Sequence, residues 1–328
     1  MPKNIIYSPL LDSKILQLLR ERALKADPDA KLEHIPTNEI QEIIGAIPDD
    51  YYNHVLTKGP FLFDSIIGDS NSGKEFQSFK EKNNFSLDIP TPPPSDDFII
   101  FLTAAAVMEF ITVWPARNDA KKSEYTIPIE KSFSGKEINV DGFYLDNMEI
   151  GVAMIDEEQR AVKARIRLDD DFSVEFCDLS LFKNPENMRN GEADFATLML
   201  SFDAEIQNIY HYKKHYMKCP CVDVLEKVKN HLRGLCYKNV DEIAPDPKLD
   251  VVVIDSSETL GKLKLSEKGM EARVETVATA HMLFTASAHS HDNYPPPLII
   301  EKGLVLRLYF KEAVVFVAYV PQENFKTV

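Results

Sequence analysis

The chain has 328 residues, 44% of them hydrophobic, which supports a proper core and excludes a disordered chain. Its 37 Lys and Arg residues stand against 52 Asp and Glu, and the formal charge of −15 argues against broad nucleic-acid binding. Four cysteines are too few for a secreted disulfide scaffold and point to a reducing, cytoplasmic setting.

Met1-Pro2-Lys3-Asn4 leads into a short apolar run that Ser8-Pro9 interrupts, so no secretory leader is expected. "LDSKILQLLRERALKADP" predicts a first helix, capped by Asp12 or Ser13, with Ile15, Leu18, Leu19 and Arg22 at helical spacing and Pro28 as the stop. A second helix is predicted from Thr37, and a third after Pro48. "GDSNSGKEF", residues 68 to 76, comes within one letter of a phosphate-binding loop: Glu75 follows Lys74 where a hydroxyl residue is needed. The word "SGKE" recurs at Ser134 to Glu137 between strand-like runs, so both copies read as polar turns. "IPTPPPSDD", residues 89 to 97, is a stiff connector that separates a helical region, 1–88, from a second domain, 96–328.

The apolar run from Phe98 to Trp114 contains Glu109 and reads as buried core, with a membrane span as the lesser alternative. From 124 to 180 the pattern is a strand meander; Val162, Ala164, Ile166 and Leu168 alternate with Lys163, Arg165 and Arg167, the mark of a sheet with one wet face. A helical pair is predicted over 193–238: a long helix from about Ala193 to Lys218, then another from Val222 to Leu235. Strands return over 249–320, including "MEARVETVATAHMLFTASA", "GLVLRLYF" and "AVVFVAYV". Helices, strands, helices and strands in that order predict an α+β fold, a helical N-terminal region followed by a largely antiparallel sheet packed with helices.

Residues 209 to 238 concentrate the unusual chemistry: three cysteines, three histidines and a local charge of +5. On a helix, Lys213, Lys214, Lys218, Tyr212 and Tyr216 would form a basic, tyrosine-rich contact surface for another protein. His211 and His215, four apart, and Cys219 one turn further on would line up as ligands for zinc. Cys221, at the expected start of the second helix, would be an activated nucleophile, because a helix N-terminus lowers thiol pKa. His289 or His291 then supplies the base and Asp292 or Asn293 the orienting group, in an order that resembles papain-like and transglutaminase-like enzymes.

Ile47 to Gly59, "IPDDYYNHVLTKG", resembles the Leu-Pro-x-x-Tyr helical word of the Smi/Knr superfamily, which implies an immunity or scaffold role. Composition rich in Lys, Asn, Ile, Glu and Phe is similar to that of effectors of intracellular bacteria. The expectation is therefore a soluble interaction or regulatory protein, effector-like, with no transmembrane segment. The alternatives are a cysteine-dependent hydrolase or transferase and a zinc-binding protein.

Overall fold

The computed structural model describes residues 3–34, 61–95, 99–155, 158–179, 208–234, 236–239, 249, 251–279, 297–311 and 313–328. The chain opens with β1 (Ile5–Tyr7) and α1 (Pro9–Ala26). Ser8 caps this helix, its Oγ accepting from the Leu11 amide at 3.3 Å while Pro9 takes the first helical position. The helix therefore starts a turn earlier than Asp12 or Ser13 suggested. It buries Leu10, Leu11, Ile15, Leu16, Leu19 and Ala23.

Next come β2 (Leu32–His34), β3 (Phe61–Gly68), α2 (Gly73–Asn83) and β4 (Thr103–Thr112). The meander supplies β5 (Lys121–Lys122), β6 (Tyr125–Ile127), β7 (Ile138–Val140), β8 (Gly142–Ile155), β9 (Glu158–Arg167) and β10 (Phe172–Asp178). Then follow β11 (Asn208–Pro220), β12 (Val222–Lys229), β13 (Cys236–Asn239), β14 (Val251–Val253) and β15 (Ser256–Ser266). The described chain closes with β16 (Gly269–Thr279), β17 (Leu298–Ile299), β18 (Gly303–Phe310) and β19 (Ala313–Pro321).

Among the described residues two sheets dominate. The larger has nine strands in the order β1-β19-β18-β10-β9-β8-β11-β17, with β5 added against β8. The other has five, β12-β15-β16-β4-β3, antiparallel throughout. Phe172 on the larger sheet touches Phe110 of β4 at 5.1 Å and Phe310 at 5.4 Å, so the two sheets share one core with α1. The N-terminal elements belong to these sheets: β1 pairs with β19, and β3 with β4.

The architecture corrects the expected α+β fold with a helical N-terminal region and packed helices. Among the described residues the molecule is mostly sheet, with α1 and α2 as its α-helices. The helices expected from Thr37 and after Pro48 lie outside the described residues, as does the Ile47–Gly59 word and its Smi/Knr resemblance. The helical pair fails on its described part, since residues 208–220 and 222–229 are strands β11 and β12. In β12, Val222, Val224 and Val228 turn inward while Asp223, Leu225, Lys227 and Lys229 are exposed, an alternation of period two. Eight register pairs with β15 hold β12, and ten with β8 hold β11, and such long-range pairing overrides weak local helix preference.

Candidate functional site at the central strand

The strand at the middle of the five-stranded sheet, β16, is where the fold concentrates its unusual geometry. It follows β15 through the two-residue turn Glu267-Lys268, with Ser266 and Gly269 paired across it. Gly269 has φ +145°, and a Cβ built on it would lie 2.0 Å from the Thr112 carbonyl oxygen and 2.9 Å from the Val113 Cα. Only a residue without a side chain brings the start of β16 this close to the end of β4. Trp114, two residues beyond β4, secures the turn from the other side. Its indole N–H donates to the Ser266 carbonyl at 2.8 Å, and its ring stacks on Phe143 of β8 at 6.0 Å.

From this anchor β16 pairs along its whole length, with eleven residues of β15 on one side and ten of β4 on the other. Its inner row, Met270, Ala272, Val274, Thr276 and Ala278, is buried, and the Thr276 hydroxyl bonds that of Thr259 at 3.0 Å. Its outer row is charged. Glu271 is paired with Lys262. The Arg273 guanidinium bonds Glu109 at 3.1 Å, Glu275 at 3.0 Å and the Asn83 carbonyl at 2.7 Å. The second oxygen of Glu275 accepts from the amides of Ser86 at 2.7 Å and Leu87 at 3.1 Å. Val277 closes this face against Phe79, Phe85, Leu87, Ala105 and Val107.

After Thr279 the sequence runs Ala280 to Pro296, outside the described residues, and reappears at Pro297 and β17. β17 lies parallel to Met217 and Lys218 of β11, and Tyr125 donates to the Ile300 carbonyl at 2.6 Å. Cys221 alone separates β11 from β12, whose Val222 pairs with Leu265 beside Met270. β17 therefore lies toward the end of the sheet where β16 began, the end opposite Thr279.

The chain as a whole aligns with solved structures. Two described as "Cleaved Serpin 42Da" align with TM-scores of 0.56 and 0.54 at 12% identity, over 97% of this chain and 91% and 90% of theirs. A loop-inserted, cleaved ovalbumin mutant aligns with a TM-score of 0.52 at 10% identity, over 97% of this chain and 93% of that one. The fold is that of the serpins. No protein-family model matches the sequence, and no curated protein matches it either.

The serpin fold overturns the effector-like, cysteine-hydrolase and zinc-protein readings, and the helices that the cysteine and zinc sites require are strands over their described part. Cys221 lies between two strands, not at a helix N-terminus, and is 5% exposed. Burial, with Asp141 and Glu267 adding, pushes its thiol up to about 11, the reverse of nucleophile activation. His289, His291, Asp292 and Asn293 lie outside the described residues. His211 and His215 belong to β11, where the register against β8 shifts between Tyr212 and Tyr216, so they do not share a helix face. Cys219 is wholly buried, and burial raises its thiol well above the usual range. No group of three His, Cys, Asp or Glu among the described residues is placed to hold a metal.

The basic helical contact surface is likewise absent as a helix pair, because β11 and β12 belong to different sheets of the serpin fold. Lys213 and Lys214 fall in the irregular stretch of β11, and Lys218 pairs with Tyr144. Tyr216 is 40% exposed with its ring 5.9 Å from that of Tyr144, and Tyr212 pairs with Met148. Lys227 and Lys229 are both bound to Glu258. The near-phosphate loop is a turn closed by Asp69 and Ser72, entering α2 at Gly73 from an edge strand antiparallel to β4, not from a central parallel strand. Apolar Phe98–Trp114 supplies β4, and no helix of the described residues is long and apolar enough to cross a membrane.

Sequence reading passes over Gly269, Trp114, Arg273 and Glu275. The signal that could find Gly269, Arg273 and Glu275 is "SEKGMEARVE", where a turn word precedes alternation of small or apolar residues with charged ones; Trp114 has no such signal.

Proposed function

We propose that this chain is a serine-protease inhibitor of the serpin type, whose partner is a protease with an apolar specificity pocket. The observation that carries the reading is the position of β16, bonded on both edges at the centre of a sheet, with the next described strand, β17, toward the end where β16 began. In this reading residues 280–296 are offered as substrate. The protease serine attacks a backbone carbonyl there, the peptide bond breaks, and the chain up to the cut stays on the enzyme as an ester. The new amino terminus departs with the β17 side. The tether is now open, so β16 can occupy the sheet without restraint, and its ladder hydrogen bonds and buried inner row favour that state. The esterified enzyme is carried with it, away from the end of the sheet where the bait was joined.

The bait sequence selects the partner class. No Lys or Arg occurs between Arg273 and Lys302, so an enzyme that needs a basic residue finds none in 280–296, while Met282, Leu283 and Phe284 suit a hydrophobic slot. Cys177, Cys219 and Cys221 are buried and form no disulfide, which is compatible with action inside a reducing compartment.

Mixing the purified chain with chymotrypsin tests the reading. A complex stable to denaturant, and a new amino terminus between residues 283 and 286, are expected; trypsin should give neither. Chymotrypsin that cuts this segment repeatedly and stays active at molar excess of the chain would overturn it.

A further inference from the structure

A central strand ordinarily carries neutral side chains on both faces when both are covered, because a buried charge is costly unless fully paired. The outer face of β16 departs from this at Arg273 and Glu275, and among the described residues their hydrogen-bond partners outside β16 lie in two places. Glu109 is the register partner of Arg273 on β4. The remaining groups, the carbonyls of Asn83 and Asn84 and the amides of Ser86 and Leu87, come from the end of α2 and the residues after it. Asn84 sits at φ 47° as the helix cap, a left-handed turn that exposes the last carbonyls on one side of the chain and the following amides on the other. A cation meets the carbonyl end of the helix and an anion meets the amides, each the favourable sign.

Resting on the inhibitor reading above, we infer that Arg273 and Glu275 form a clasp that couples β16 to Asn83–Leu87 and holds the strand in the sheet. The clasp closes only when both residues are level with Glu109 and the end of α2. These positions lie about half-way along β16, so shallow entry from the Gly269 end leaves it open. Departure of β16 leaves the Ser86 and Leu87 amides without their carboxylate acceptor on a face lined by Phe79, Phe85 and Val107. Opening the clasp and releasing the strand are thus one event.

Amide-resolved hydrogen exchange on the whole chain, with no protease present, tests this. In Glu275→Gln the amides of Val274, Thr276 and Ala278 should exchange at least tenfold faster than in the parent, while those of Ala164 and Phe176 in the other sheet stay within twofold. Arg273→Met should act the same way, and Glu271→Gln, on the same face but outside the clasp, should not. Exchange of β16 within twofold of the parent in both clasp variants would overturn the inference, as would equal acceleration of both sheets. If exchange behaves as expected but chymotrypsin is not inhibited, the clasp stands and the inhibitor reading falls; with normal inhibition and unaltered exchange, the inhibitor reading stands and the clasp falls.

Discussion

Replacing Gly269 by Ala puts a carbon where the Thr112 carbonyl oxygen is 2.0 Å away, and contacts under 3.0 Å are not tolerated, so β16 must retreat from β4 by at least 1.0 Å. The obstacle is backbone, which cannot swing aside. The φ of +145° adds its own cost for a residue with a side chain, on the order of 1–3 kcal/mol. Together with lost hydrogen bonds at the first pairs, at about 1 kcal/mol each, the substitution should cost roughly 3–5 kcal/mol. Unfolding entropy of about 2.1 cal/mol/K per residue then implies a fall in Tm of roughly 4–7 °C if the chain melts as one unit. On the proposed inhibitor function, the same displacement lies at the point where β16 would enter the sheet. Gly269→Ala should therefore raise several-fold the number of chains cleaved per chymotrypsin molecule inactivated. Calorimetry and a titration of residual protease activity measure both effects. A Tm within 1 °C of the parent together with unchanged stoichiometry would refute the claim that this glycine admits the strand.

Cys221 should resist alkylation in the folded chain: with its thiol at about 11, the thiolate fraction at pH 8 is on the order of one in a thousand, and iodoacetamide should label it at speed only after denaturation. Burial, with the Arg20 charge second, holds the His34 imidazole down at about 2, so the folded state keeps it neutral where the unfolded chain protonates near 6.5. Because the folded pKa is the lower one, stability is retained above 6.5 and lost as pH falls below it; His34→Phe should flatten that acid slope in urea melts between pH 6.5 and 4.5. Arg307 faces Glu175 at 3.6 Å, each at most 2% exposed, with Lys163 also 3.2 Å from the carboxylate. Arg307→Met should cost about 3 kcal/mol by urea denaturation, and the double variant with Glu175→Leu should cost less than the single one.

The parts of this fold that sequence discloses are those whose signals are local. Alternation over residues 162–168 announces β9, and the Pro9–Ala26 helix is visible through Leu19 and its neighbours even though Ser8, not Asp12, caps it. β4 is legible as buried because Ala104 to Met108 are apolar without interruption, as a strand covered on both faces must be. The helical pair misleads because the Lys- and Val-rich "VDVLEKVK" satisfies a period of 3.6 nearly as well as one of two; only the β15 edge decides between them. Glu275 gives no local sign of its role, since the amides that bind it lie 188 and 189 residues earlier. Cys221 draws attention for its company of His and Lys residues, yet thiol reactivity depends on solvation, which the sequence does not carry.

Chain length supplies the sharpest remaining test of how the central strand is controlled. Thr279 and Gly269 are the two ends of β16, so the return path to β17 covers at least ten residue steps of strand, about 33 Å. The intact chain has nineteen links from Thr279 to Leu298, which reach at most about 63–68 Å. That is ample, so an uncleaved molecule can hold β16 in the sheet, and cleavage changes the freedom of the strand without being a geometric precondition for its insertion. Deleting the eight residues Thr285–Asp292 leaves eleven links and a reach of about 36–40 Å, close to the straight-line minimum before any detour around the sheet edge. The shortened chain should hold β16 under tension while intact and regain it once cut. Cleavage at Leu283 or Phe284 should then raise its Tm by more than it raises that of the full-length chain. Equal gains in the two proteins would mean that the tether never limits the strand, and that the clasp and the Gly269 turn alone set its position.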